Sequence, residues 1–304
     1  ATVLSNVGNG AVPLAGGLTS TAATSTYTLG GPGDYNVSGN ITAGAGSVAL
    51  TKSGPGTTTL AGANTIGGAL TLSGGILRIT NAGALGGTGT ITAQGGNTNS
   101  VGSMGFDLRN DTGMDLSGRV VTTGGYNYSI NVDRAIGGTG TNQTMSLSGG
   151  SWAGATATSW GFTVSGANGY SLQYKGAAFT VVQGMGAPNI NNFIASISGN
   201  GGILFNSGIT FTNTTTLTGI ALSGTGEYLL SGALTSQSGT TTVATVTKNG
   251  TGALTISNDN SSTWNSVLND EVITVSAGIL RLTNGGGLGG STAVYNQNGG
   301  VLDL

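Results

Sequence analysis

The sequence predicts an all-β chain wound as a parallel β-helix, a β-solenoid of roughly twelve to fifteen coils. Three observations lead there. A long stretch of the chain recurs near its end. Runs of three to five strand-forming residues arrive every eight to twelve positions between Gly, Asn and Ser turns. The composition disfavours helix, with 60 glycines and only four prolines in 304 residues and abundant Thr, Ser and Asn. Short evenly spaced strands suit a sandwich as well, and the long-range repetition decides for the solenoid. A coil of three short strands and three corners takes ~20–25 residues, and coils stack at ~4.8 Å.

The recurring core is Gly74-Gly75-Ile76-Leu77-Arg78-Ile79-Thr80-Asn81, which returns as Ala277-Gly278-Ile279-Leu280-Arg281-Leu282-Thr283-Asn284. Upstream, Leu50-Thr51-Lys52-Ser53-Gly54-Pro55-Gly56 finds its partner in Val246-Thr247-Lys248-Asn249-Gly250-Thr251-Gly252, and Leu29-Gly30-Gly31 to Tyr35 finds its partner in Leu222-Ser223-Gly224 to Tyr228. Downstream, Gly105-Phe106-Asp107-Leu108 resembles Gly300-Val301-Leu302-Asp303-Leu304. The offset drifts from 193 (222 minus 29) to 196 (246 minus 50) to 203 (277 minus 74), as when corners take insertions while strands keep register. Residues 29–108 therefore match 222–304 within a single continuous solenoid over 1–304, with a divergent middle, 109–221. At the expected coil length the two copies lie about nine coils apart.

Taken in order, residues 1–28 hold short strands at Val3-Leu4, Val12-Leu14 and Tyr27-Leu29, separated by Gly and Asn corners. In the first copy Thr57–Leu60, Ala69–Leu72 and Ile76–Ile79 are strands. Each ends in a turn group in which glycine supplies positive φ and Asn tolerates αL. The middle gathers all four methionines (Met104, Met114, Met145, Met185), most phenylalanines, and Trp152 and Trp160. It reads as wider coils with a bulkier interior.

Charged residues make up 6% of the chain and the net charge is −2, so a nucleic-acid surface, which needs clustered Lys and Arg, is not expected. There is no cysteine and no histidine, which removes disulfides, thiolate sites and the commonest general base. No apolar run reaches the roughly 18 residues of a membrane helix, and no signal peptide is visible, so this segment is not expected to enter a membrane.

The stretch from Leu50-Thr51-Lys52-Ser53-Gly54-Pro55-Gly56 through Ala63-Asn64-Thr65 to Leu77 and Leu85 resembles the autotransporter-associated β-strand repeat, with the pattern Thr-Lys-x-Gly-x-Gly. The clear matches cover 50–87 and 247–290, about a quarter of the chain. The resemblance implies a right-handed parallel β-helix from a long exported bacterial protein, secreted or on the outer cell surface. It is uninformative about any ligand. The chain departs from the pattern between Ser261 and Asp270, where an insertion brings in Trp264.

The acidic stretch Asp107, Asp111 and Asp115 with Arg109 and Arg119 is the candidate for chemistry, because glycan-cleaving solenoids need converging carboxylates. The matching place of Asp303 in the second copy favours a structural role for Asp107, and no catalytic residue is expected. Gly30 to Tyr35 brushes against a calcium-binding nonapeptide, but its acid, Asp34, sits one place early and lacks carboxylate neighbours. Neither a metal nor a cofactor is expected. Arg78 and Arg281 alternate with apolar neighbours and point out of the rod, while Asn64 with Asn260 and Asn81 with Asn284 mark corners where amides can bond along the axis.

The reading is a structural protein, a stiff rod of the cell surface or extracellular matrix whose partner is itself. A solenoid leaves unpaired strand edges at each end, and neither end here carries a polar cap. End-to-end contacts are expected at Val3, Leu4, Val301, Leu302 and Leu304, building a filament or long array. The alternative is an adhesin or a carbohydrate-binding or carbohydrate-cleaving β-helix that meets surface glycans or a host protein through a candidate ligand face at Trp152 and Trp160.

Overall fold

Alternation of apolar and polar residues in short runs sends every second side chain to one side, and these runs wind around a common interior. In Ser47–Lys52 the inward residues are Val48, Leu50 and Lys52; in Gly75–Ile79 they include Leu77 and Ile79. The structure is a computed structural model; it describes residues 1–44, 46–94, 104–124, 128–153, 161–182, 189–197, 201–212, 217–236, 243–264 and 271–304. Every strand pairing among the described residues is parallel, and partners come from successive turns: Leu50 pairs with Leu70, Leu77 with Thr58 and Phe106, and Val246 with Ile220 and Ile273. The chain is a parallel β-solenoid.

The chain visits three faces in a fixed order. Face one starts with Thr2–Ser5 and Thr24–Gly30 and runs to Leu234–Ser236. Face two runs unbroken from Val12–Pro13 to Val294–Gln297. Face three begins with the paired strands Leu18–Ser20 and Ile41–Ala43. It then lacks strands over the turn at Asn64 and the short 3-10 turn Ala82–Leu85. It resumes from Met114 onward and ends at Val301–Asp303.

The solenoid has about ten complete turns, against the twelve to fifteen expected. Turns are longer in the middle than the assumed length: Asn131 stacks on Asp107, 24 residues earlier, but Ser165 stacks on Asn131 across 34. Those long turns carry strands on all three faces and a bulky interior. Tyr174, Phe179 and Phe205 are buried, with ring centroids 5.0 to 5.6 Å apart. The expectation of wider, aromatic-filled middle coils is met.

The two copies sit on one ladder but not on the same faces. Ser47–Lys52 lies on face one and Thr57–Leu60 on face two, whereas their counterparts Val243–Lys248 and Ala253–Ile256 lie on faces two and three. Likewise Gly75–Ile79 is on face two and Ile279–Leu282 on face three. The second copy is thus turned one face about the axis. From Thr57–Leu60 the face-two ladder climbs through Gly75–Ile79, Met104–Arg109, Tyr128–Asp133, Gly161–Gly166, Asn189–Ile197 and Leu217–Gly224 to Val243–Lys248 before the chain reaches Ala253–Ile256. That is seven steps and one face, not nine coils. The long middle turns account for the difference.

Candidate functional site

The polar residues singled out in the sequence fall into two groups, one on the outside of the solenoid and one inside it. Outside, register places Arg78 beside Asp107, Asp107 beside Asn131, and Asn131 beside Ser165. Arg78 Nε donates to Asp107 Oδ2 at 2.6 Å, Asn131 Nδ2 donates to Asp107 Oδ1 at 2.8 Å, and Ser165 Oγ bonds Asn131 Oδ1 at 3.1 Å. Arg109 Nε donates to Asp107 at 2.8 Å, and its guanidinium lies 3.6 Å from Asp133. Burial pushes the Asp107 carboxyl up, but the hydrogen bonds from Asn131, Arg78 and Arg109 outweigh it and hold it below the usual range.

Asp111 accepts from the backbone of Gly140 at 3.1 Å, and also from Thr139 and Ala135, closing the 134–140 loop. The Gly140 bond leads in lowering its carboxyl. Asp115 pairs with Lys175 at 2.7 Å and accepts from Ser117; the lysine, then the serine, draw it down to about 2. The carboxylates therefore spread over face two, a loop and face three, each taken up by donors. In the second copy the arginine–aspartate pair recurs as Arg281 with Asp303 at 2.8 Å, so Asp107 and Asp303 are equivalent in role as in place. That outer pair is about half exposed, and Arg281→Met is expected to leave the chemical denaturation midpoint unchanged.

Inside lies Arg119, the last member of the charged stretch. Arg119 is 1% exposed and donates only to carbonyls: Gly89 at 2.6 Å, Ile66 at 2.8 Å, Gly68 at 2.6 Å, and Leu85 and Gly86 at 3.2 Å. These belong to two successive turns below it, on the side where face three has no strand. The strand register shifts between Leu116 and Val120, and that irregularity turns Arg119 inward. Burial lowers the affinity of its guanidinium for its proton.

The corners hold buried lysines. Lys52 is the last inward residue of its strand, and its Nζ donates to the carbonyls of Ser53 (3.1 Å), Gly54 (2.8 Å) and Gly74 (3.1 Å), tying one corner to the next. Lys248 likewise donates to a carbonyl of its own corner, that of Gly250. The space is closed by Gly75 and Gly278, at φ 68° and 74°, where a Cβ would overlap the carbonyls of Gly54 and Gly250 and crowd the ammonium. Burial lowers both lysines to about 8, against the opposing charge of Asp34 and of Glu227 respectively. Those acids are themselves equivalent: Asp34 Oδ1 accepts from Thr57 N at 2.6 Å and Glu227 Oε2 from Ala253 N at 3.3 Å, each on the turn above. The acid that sits one place early for calcium is a backbone acceptor, and no group of metal-binding side chains occurs among the described residues.

Asn64 and Asn260 also bridge turns. Asn64 accepts from Ile41 N at 2.8 Å and donates to Ala84 O at 2.6 Å; Asn260 accepts from Leu234 N and donates to Gly287 O, both at 2.9 Å. The axial bonding expected of them runs from amide to backbone, not from amide to amide. Asn81 and Asn284 instead cap local turns, accepting from Gly83 and Gly286. Trp264 takes the place of Ile66: both are fully buried, and the positive-φ glycines Gly289 and Gly87 close on their respective carbonyls.

Of the candidate ligand face, Trp160 lies outside the described residues, and Trp152 is described only by its backbone, in the strand Ser151–Ala153. Val3, Val301 and Leu304 are exposed and Leu4 and Leu302 half-buried, all in the terminal turns.

A family model described as passenger-associated-transport-repeat matches residues 50–79 and 246–263. The chain carries this repeat twice. Both matches span the buried lysine, its glycine corner and the bridging asparagine, which gives the Thr-Lys-x-Gly-x-Gly pattern a physical meaning. With the parallel solenoid, the passenger repeats fit an autotransporter passenger β-helix repeat protein. No curated protein and no solved structure matched the chain.

These ionisations set the pH response. Asp107 titrates lower folded than unfolded, so the stability it contributes is present at neutral pH and is lost as pH falls below about 4. The lysines titrate near 8 folded and near 10.4 unfolded, so the unfolded chain binds more protons between those values and stability rises with pH there. Melting temperature is expected to rise from pH 8 to pH 10, and the Lys52→Met, Lys248→Met double variant is expected to lose that rise. A fall that disappears in the double variant would reverse the assignment.

Proposed function

We propose that the chain is a stiff structural segment of an exported bacterial passenger, a right-handed parallel β-helix held at the cell surface or in the extracellular matrix, which stacks end to end into a filament or long array. The observation that carries this reading is where the polar groups go. Lys52, Arg119, Asn64 and Asn260 place hydrogen bonds on backbone of neighbouring turns, and Arg78, Asp107 and Asn131 bond one another along the axis. Such a chain gains axial stiffness. A parallel coil with an unpaired edge invites strand addition along the same axis. Its partner is another copy of itself, and neither nucleic acid nor a catalytic substrate enters the reading.

Negative-stain microscopy of the purified chain tests it. Rods that lengthen into fibres with concentration are the expected result. A particle that remains monomeric by light scattering at high concentration contradicts it. Glycan-array binding abolished by Trp152→Ala or Trp160→Ala would favour the adhesin instead.

A further inference from the structure

The outer surface of face one differs from the rest of the solenoid. Thr28, Thr51, Thr71, Thr92 and Thr122 stack in register on five successive turns. Thr123 pairs with Trp152, which puts Ser151 next above Thr122, and Thr180, Thr210 and Thr235 continue the column. The alternation that buries Leu50, Leu70 and Ile91 points this column outward. Nine consecutive turns thus present a hydroxyl at one position, each on a half-buried side chain.

The surroundings of the column are small and uncharged. Among the described residues, the columns two places to either side carry no charge. The one on the N-terminal side of each strand holds Ala49, Ala69, Ala178 and Ala233, and its largest member is Val120. All ion pairs among the described residues lie on faces two and three. The hydroxyls themselves are unclaimed: among the described residues only that of Thr122 has a partner in the protein, the carbonyl of Ile91 at 3.4 Å.

We propose that this face is a lateral interface, on which a second copy of the chain packs side by side and antiparallel through its own threonine column. A hydroxyl both donates and accepts, so two identical columns can satisfy one another, which two columns of ammonium or carboxylate groups cannot. The rung spacing is the same ~4.8 Å in both copies, so hydroxyls meet at every turn. A two-fold axis through Thr122, the fifth of the nine, makes the contact isologous: Thr122 meets its own copy, Thr71 meets Thr180 and Thr28 meets Thr235.

The area suffices for a stable pair. Eight steps make the column ~38 Å long and five residues make the face ~17 Å wide, about 650 Å² per partner and ~1,300 Å² in all. Specific interfaces bury about 1,200–2,000 Å². Small flanking side chains let the two sheets approach, and a net charge of −2 leaves little repulsion between copies. The pairing is closed, so by itself it stops at a dimer, and it stands whether or not copies also stack along the axis.

Sedimentation velocity and negative-stain microscopy of the chain test this. A concentration-dependent dimer is expected, seen as rods two wide. Thr71→Lys with Thr180→Lys sets lysines opposite one another at two rungs and is expected to leave only the monomer. Thr71→Glu with Thr180→Glu is expected to do the same, and an equimolar mixture of the two variants to restore the dimer, which also shows that both fold. Thr163→Lys, on the exposed outside of face two, is expected to leave the dimer intact. A dimer that survives the paired lysines lies on another surface and overturns the proposal. A wild-type monomer overturns it too, and if that monomer slows ice recrystallisation the hydroxyl row serves ordered water instead. Rods that lengthen while staying one wide overturn lateral pairing and leave end-to-end stacking intact.

Discussion

Replacing Arg119 with methionine is expected to destabilise the turns around it by about 3–5 kcal/mol, because the carbonyls of Ile66, Gly68, Leu85, Gly86 and Gly89 lose charged donors while remaining covered. The relief of desolvating a guanidinium offsets part of this, but apolar replacement is favourable only when both partners of a buried polar contact are removed. Arg119→Lys is expected to recover less than half, since one ammonium cannot reach carbonyls of two turns that a planar fork reaches together. Solenoid turns interact mainly with their neighbours, so the loss should be local. Amide exchange in the segment 83–91 should accelerate while exchange around Tyr174 stays unchanged. A loss under ~1 kcal/mol with unaltered exchange would mean that the carbonyls are satisfied in another way.

Trp264→Ala is expected to cost about 3–5 kcal/mol, the range for emptying a fully buried large side chain. The indole packs on Phe211, two turns below, with ring centroids 5.4 Å apart, at the place where the first copy buries Ile66. Trp264→Ile should therefore restore only part of the loss, since the wider site around Phe211 is left underfilled. Denaturant midpoints of the three proteins test this. Equal midpoints for the alanine and tryptophan forms would place Trp264 outside the core.

The strands and the repeat were legible because they rest on local alternation and turn chemistry. Ile76–Ile79 falls within the strand Gly75–Ile79, and Thr57–Leu60 is reproduced to the residue. The equivalence of Asp107 and Asp303, each paired with an arginine, was legible from the repeat. Three features were not. Lys52 was hidden by its charge, although the alternation Val48, Leu50, Lys52 points it inward. Arg119 lies beyond a register shift, where parity no longer tells inside from outside. The one-face rotation leaves no trace in the repeat itself, because a strand and its corner carry the same residues whichever face they occupy. What sets the rotation is the summed length of the middle turns, and corners absorb insertions freely.

The central claim is that one axis carries both copies, displaced along it by seven turns and turned by one face. It is tested most directly by a distance between spin labels on Thr59→Cys and Thr255→Cys, equivalent half-exposed positions on face two and face three. Seven steps at ~4.8 Å put the labels ~34 Å apart along the axis, and somewhat more across the intervening face. Pulsed electron resonance is expected to show a single distribution near 35–45 Å. A distribution near ~10–15 Å, the separation of sheets packed face to face, would contradict the solenoid and everything built on it.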